Sequence, residues 1–226
     1  MKIQLYSFWR SSAAFRVRIA LNLKGLDYEV IPVHLNKNGG KHLLAEYLEK
    51  NPNRLVPVLM DGQQTIHQSL AIIEYLEELY PAPPLLPIGP ADRAWVRSIA
   101  LDIAADIHPI TNLRVLRYLI RQLSVSPADK DIWYQHWIRL GLESLEKQLA
   151  QDSRLGRFAL GNQPSLIDIC LVPQMFNALS VGMKIDAYPT LLGIFNACML
   201  LPEFLDASWE NQIDAEGSNP VIPPQE

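Results

Sequence analysis

Two adjacent serines, Ser11 and Ser12, stand where a strand gives way to a helix. Ahead of them, Lys2-Ile3-Gln4-Leu5-Tyr6 alternates polar and apolar residues, the period of a strand. Behind them, Ala14, Val17, Ala20 and Leu21 share one helical face, and Lys24-Gly25 supplies the stop. A helix N-terminus presents unpaired backbone N–H groups and the positive end of the helix dipole. Such a place attracts an anion and lowers the pKa of a thiol held against it. A serine there is also a common N-cap, a role that needs no ligand. Gln68-Ser69 opens a second helix, with Leu70, Ile73, Leu76 and Leu79 at helical spacing. Its free N–H groups and the Ser69 hydroxyl suit a carboxylate, with the plain N-cap again the alternative.

The elements that position these serines follow from the periodicity. Tyr28-Glu29-Val30-Ile31-Pro32-Val33 reads as a strand, and Asn36 to Gly40 as a polar loop. Leu43, Leu44, Tyr47 and Leu48 suggest a short helix that closes near Asn51-Pro52. Leu55 to Met60 reads as a strand, Asp61-Gly62 as a tight hairpin, and Thr65-Ile66 as the return. The order is βαβαββα over residues 1–80. A proline-rich linker at 81–90 is short and stiff. Residues 91–207 read as all helical. One long pattern from Ala91 to Leu123 is bent or broken near Pro109. A second runs from Pro127 to Leu149, with Ile132, Trp133, Trp137, Leu140 and Leu145 as core candidates. A third starts at the capping box Ser165-Leu166-Ile167-Asp168 and contains Pro173, where a kink is expected. Pro189 to Met199 forms a fourth. The tail, 208–226, has no period and reads as irregular.

Composition narrows the function classes. The 226 residues are 49% hydrophobic and 19% charged, ordinary for a globular chain with one large or two small cores. A net charge of −4 gives no basic field for nucleic acid or an anionic membrane. No apolar run approaches the ~20 residues of a membrane span, and the first residues read as a strand rather than a secretory signal. Cys170 and Cys198 sit in apolar helical patterns, so free buried thiols and a cytoplasmic setting are expected. Without a CxxC or a Cys-His cluster, neither dithiol redox chemistry nor a metal site is expected.

The motifs together resemble the cytosolic glutathione transferases, and within them the zeta class, the maleylacetoacetate isomerase family. The resemblance rests on Ser11-Ser12 followed by Arg16-Val17-Arg18-Ile19-Ala20-Leu21, on Asn51-Pro52 with Val56-Pro57, and on residues 66–78. It continues through His108-Pro109, Asn112 to Leu116, the capping box and Leu171-Val172-Pro173-Gln174, to about Asp206. It implies a thioredoxin-like domain followed by an all-helical domain. It implies glutathione as co-substrate, a homodimer, and a cis bond at Pro57. By the resemblance Ser11, with Ser12 beside it, stabilises the glutathione thiolate. Ser12, Ala13, Ala14, Phe15, Arg16, His42, Val56, Gln68 and Ser69 border the peptide, with His108, Asn112, Leu113 and Arg114 from the helical domain. Asp168 is assigned to stability.

Two positions depart from the pattern. The class signature has cysteine where this chain has Ala13, and an arginine near the end of the Pro173 helix, where this chain reads Asn177-Ala178-Leu179-Ser180. A planar bidentate arginine suits a substrate carboxylate. The expectation is therefore a transferase in which the thiolate attacks a small electrophile. The alternatives are maleylacetoacetate or maleylpyruvate cis–trans isomerisation, and a non-catalytic interaction module.

Overall fold

The computed structural model describes residues 2–216. They form two compact units, residues 2–85 with 200–216, and residues 86–199. The first opens with β1 (Ile3–Ser7), α1 (Ser12–Leu23) and β2 (Tyr28–Pro32). After two 3₁₀ turns come α2 (Ala45–Leu48), β3 (Val58–Asp61), β4 (Gln64–His67) and α3 (Ser69–Leu79). The order is βαβαββα, as the periodicity predicts. The sheet runs β2-β1-β3-β4, with β1 parallel to β2 and antiparallel to β3. The strand expected from Leu55 begins only at Val58, because the Leu55 carbonyl is taken by Tyr47 Oη at 2.6 Å and Asn51 Nδ2 at 2.8 Å. The Val56-Pro57 bond that follows is cis.

Ile3 and Leu5 of β1, Val17 and Leu21 of α1, Leu59 of β3, and Ile72 and Leu76 of α3 form one buried cluster. The α3 face is shifted from the expected one: Ile72, Ile73 and Leu76 are buried, whereas Leu79 is exposed. Helices α1 and α3 are tied at both ends. Arg16 donates to Ser69 Oγ at 3.3 Å, and Lys24 Nζ meets Glu77 Oε2 at 2.6 Å. Both pairs are 53 residues apart in sequence, so the two helices run side by side in one direction and bring their N-termini together.

In the second unit α4 (Pro90–Leu101) passes into a π-helical stretch (Asp102–Ile107) and the single turn α5 (His108–Ile110). The break expected near Pro109 falls at Thr111-Asn112, after which α6 (Leu113–Arg121) begins. Helix α7 (Pro127–Ala150) buries Ile138, Leu142, Leu145 and Leu149, one stripe at helical spacing. Ile132 and Leu140, expected in the core, are exposed because they lie off that stripe. Helix α8 (Leu166–Ser180) runs through Pro173 and is buried on every face from Leu166 to Ala178, so it forms the axis of this unit. Helix α9 (Pro189–Cys198) completes it.

A further short helix, α10 (Pro202–Asp206), groups with the first unit and not with the helical domain in which 91–207 placed it. Arg18 and Asn22 of α1 explain this, donating to the carbonyls of Ala207 and Glu203 at 2.9 Å each. Residues 208–216 have no helix or strand, as expected, yet Ser208, Trp209 and Gln212 are buried. Positions 217–226 of the expected tail lie outside the described residues.

Candidate functional site

Ser11 caps α1. Its backbone is extended, and its Oγ accepts from Ala14 N at 3.2 Å. A hydroxyl that accepts with a lone pair keeps its proton to donate, so the cap and a second partner are compatible. Ser11 and Ala13 are half-buried, while Ser12 is buried. The side chains of Ala14 and Phe15 are wholly buried, and their N–H groups go to Ser11 Oγ and Ser11 O. There α1 faces the core, and its first turn has used those two donors.

The N-terminus of α3 is better suited to an anion than spacing alone indicates. Gln68 precedes it with φ at +73°, in the left-handed region that non-glycine residues seldom adopt. Ser69 is its first residue, and the Arg16 guanidinium, 2% exposed, reaches its hydroxyl. Helix end, hydroxyl and cation therefore meet at one place, which suits a carboxylate. Sequence reasoning on spacing missed this meeting, since a helical arginine reads as solvated.

Val56, buried, lies just ahead of the β3 ladder, which begins with Val58 opposite Tyr6. Tyr47 and Asn51, both buried, hold the preceding carbonyl. Spacing alone marks these two only as parts of a helix and its stop. His42 is 9% exposed, on a 3₁₀ turn that is possible because Gly40 has φ at +98°; any side chain at Gly40 would collide with the His42 ring. The remaining predicted residues belong to the second unit. His108 Nε2 lies 3.3 Å from Asn112 Nδ2, and Asn112 caps α6 by accepting from Arg114 N at 3.2 Å. Leu113 and Arg114 are exposed on the first turn of α6. Asp168 is fully buried and accepts from Ala159 N, Ser165 N and Ser165 Oγ at 2.7 to 2.9 Å. Burial pushes its carboxyl up, and these donors pull it back. Among the described residues no group of His, Cys, Asp and Glu is arranged to hold a metal ion. No helix among them is long and apolar enough to cross a membrane.

The sequence profile of the glutathione S-transferase N-terminal domain matches residues 5–84. A probable maleylacetoacetate isomerase of Vibrio cholerae is 51% identical, over 95% of this chain and 99% of its own length. A holo structure of maleylpyruvate isomerase, described as a bacterial zeta-class glutathione S-transferase, superposes with a TM-score of 0.91 at 42% identity. That match covers 94% of this chain and 100% of the other. The chain belongs to the zeta-class glutathione transferase and maleylacetoacetate isomerase family. A third relative, maleylacetoacetate isomerase from Anaeromyxobacter dehalogenans with glutathione bound in its active site, has a TM-score of 0.84 at 39% identity, over 95% and 98% of the two chains.

As a member of this family the chain is an enzyme, and the reading as a non-catalytic module gives way. Ser180 ends α8, where its Oγ donates to Asn177 O at 2.8 Å, and so serves its own helix terminus. The Cys170 and Cys198 thiols are both fully buried, and burial raises the Cys198 thiol.

Proposed function

We propose that the chain binds glutathione in its first unit, holds the sulfur as a thiolate at Ser11, and adds it to a small electrophile. The observation that carries this reading is the pairing of two helix N-termini in one thioredoxin-like unit. Ser11 caps one, and Ser69 with Arg16 opens the other. Glutathione is a peptide with carboxylates and one thiol. Arg16, Ser69 and Gln68 suit a carboxylate. Val56 offers its backbone to the peptide as an added strand. Ser11 donates to the sulfur, with Ser12 and Ala13 beside it in the first turn. A free thiol titrates near ~8.5, so a hydrogen bond and a helix end raise its thiolate fraction at neutral pH. His42, and from the second unit His108, Asn112, Leu113 and Arg114, are assigned as peripheral contacts on the resemblance alone.

Glutathione affinity and turnover should separate. Ser69→Ala is expected to raise the KM for glutathione about tenfold, the effect of one hydrogen bond to a charged group. At saturating glutathione kcat should stay within about twofold, because the change touches the carboxylate and not the sulfur. A large loss of kcat with KM unchanged would contradict this division.

The electrophile decides between two outcomes of the same first step. Retention of the sulfur gives a conjugate. Its release after rotation about the attacked bond gives cis–trans isomerisation. Ala13 and the self-satisfied Ser180 favour conjugation of an apolar electrophile. The second reading, isomerisation of maleylacetoacetate or maleylpyruvate, is favoured by the 51% identical relative named for it. The test compares both substrates on the native protein and on Ser180→Arg, with and without Ala13→Cys. The native protein should prefer the generic electrophile. Ser180→Arg should lower the KM for the diketo acid about ten- to a hundredfold, the worth of a charge-assisted hydrogen bond. Efficient isomerisation by the native protein would put the second reading first.

We also assign a homodimer in the cytoplasm. The homodimer rests on the resemblance to the family alone. Sedimentation at micromolar concentration should give twice the chain mass, and a monomer would refute the assignment.

A further inference from the structure

The loop that carries Ser11 is gripped from two directions by residues that the chemistry above does not use. Between β1 and α1, Ser11 N donates to Phe8 O at 2.9 Å, closing a turn over Trp9 and Arg10. Arg18, wholly buried on α1, lies beneath that turn. Its Nη1 donates to Ser7 Oγ at 3.0 Å and to Phe8 O at 3.5 Å, and its Nη2 to Trp9 O at 3.1 Å. Its Nε donates to Ala207 O at 2.9 Å, which brings in the C-terminal segment. From that segment Asp214 Oδ2 accepts Trp9 N at 3.1 Å. The peptide groups at Trp9 are therefore held at the C=O by Arg18 and at the N–H by Asp214. Trp209, 2% exposed, lies 5.4 Å from the Arg10 guanidinium of the same turn.

We propose that Arg18 and Asp214 are positioning residues for Ser11, so that the C-terminal segment 207–216 is part of the machinery that sets the hydroxyl against the thiol. This inference rests on the assignment of Ser11 above. The physical grounds lie in the cost of the arrangement. A buried guanidinium is expensive to desolvate, and burial lowers the pKa of Arg18 to about 10, against the pull of Tyr28 on β2 and of Asp214. An apolar side chain would fill the same space without that cost, yet it would leave the carbonyls of Phe8, Trp9 and Ala207 without this donor. The fork of donors fixes the turn in one place. Placement matters for catalysis: an error of ~1 Å in a reacting group can cost about a hundredfold in rate.

The experiment uses the full chain and three variants, Asp214→Ala, Asp214→Asn and Arg18→Lys. Two readouts are taken: amide exchange at Trp9 and Ser11 in the ligand-free protein, and the pH at which bound glutathione thiol titrates, with kcat and KM beside it. Asp214→Ala removes the acceptor from a half-buried side chain, so the fold should survive. Exchange at Trp9 and Ser11 should rise about tenfold. The thiol should titrate at higher pH, and kcat should fall about tenfold with the KM for glutathione within about twofold, one lost hydrogen bond's worth. Asp214→Asn keeps an acceptor oxygen and should recover most of each. Arg18→Lys cannot span four acceptors and should show larger changes wherever thermal unfolding proves it folded. Unchanged exchange in Asp214→Ala overturns the inference, as does raised exchange with an unshifted thiol titration and unchanged kcat. Failure of the native protein to bind glutathione would instead sink the proposed function. The exchange data would still decide whether the segment holds the turn.

Discussion

Replacing Ser11 with alanine is expected to lower kcat about ten- to a hundredfold, the worth of one hydrogen bond to a charged acceptor. The same oxygen caps α1, so the variant should also lose ~1 kcal/mol of stability. For a chain of this size that is a fall of about 2–4 °C in Tm. The two losses have different causes, and a second substitution separates them. Aspartate is as good an N-cap as serine and is favoured by the helix dipole. Ser11→Asp should therefore melt no lower than the native protein. Its carboxylate would stand beside the thiolate as a like charge, which disfavours ionisation of the thiol. Turnover of Ser11→Asp should fall at least as far as that of Ser11→Ala, and the bound thiol should titrate at higher pH in both. Thermal melts, a pH titration of bound glutathione and kcat at saturating glutathione give the whole comparison. Full turnover in Ser11→Ala, with loss in Ser12→Ala, would transfer the role to the neighbouring serine.

Why the serines could be found in the sequence, and their surroundings could not, has a physical basis. Helix starts, hairpin turns and capping boxes are local: the residues that satisfy the first N–H groups sit within three or four positions of them. So α1, α3, the Asp61-Gly62 turn and the Ser165–Asp168 box were legible, as was the βαβαββα order. What holds the site is not local. Arg18 meets Ala207 across 189 residues, and Trp9 meets Asp214 across 205. Arg16 and Arg18 are two apart on one helix, which points them different ways, and a charged residue at such a position reads as solvated. Both are buried, at 2% and 0% exposure, because α3 supplies a partner for one and the loop and C-terminal segment for the other. The same limit explains the helical unit. Period alone offered Ile132 and Leu140 as core, and only packing selects which stripe of α7 turns inward. The fall of the break at Thr111-Asn112, past a π-helical stretch, likewise depends on contacts rather than on Pro109 alone. A side chain at Gly141 of α7 would collide with Ile107 at the end of that stretch.

Removal of the Glu77 carboxylate should be among the most destabilising single changes in the first unit. Glu77 is 7% exposed, and the side chain facing it, Lys24, is fully buried. The carboxylate accepts from Lys24 Nζ at 2.6 Å and from Leu85 N at 3.0 and 3.1 Å. Lys24 Nζ also donates to Tyr80 O and Pro83 O at 2.6 and 2.8 Å, so the pair fastens the end of α1 to the end of α3 and to the chain leaving it. Glu77→Ala would leave a buried ammonium without its counter-charge, which costs ~3–5 kcal/mol. Against a total stability of about 5–15 kcal/mol, that is a large share. The Tm should fall by roughly 6–20 °C, at about 2–4 °C per kcal/mol. Lys24→Met strands the carboxylate instead, though Leu85 N still binds it, so the loss should be smaller. The double change Lys24→Met with Glu77→Leu removes both charges. It should recover part of the loss, because apolar replacement of a buried pair is often neutral or stabilising. It should not recover all of it, since Tyr80 O, Pro83 O and Leu85 N lose their partners. Below its melting point Glu77→Ala should keep the KM for glutathione within about threefold. The change lies two helical turns from Ser69, where a ~12 Å separation weakens coupling. Melting of Glu77→Ala within about 2 °C of the native protein would mean that water reaches Lys24 and that the pair is not sealed in the core.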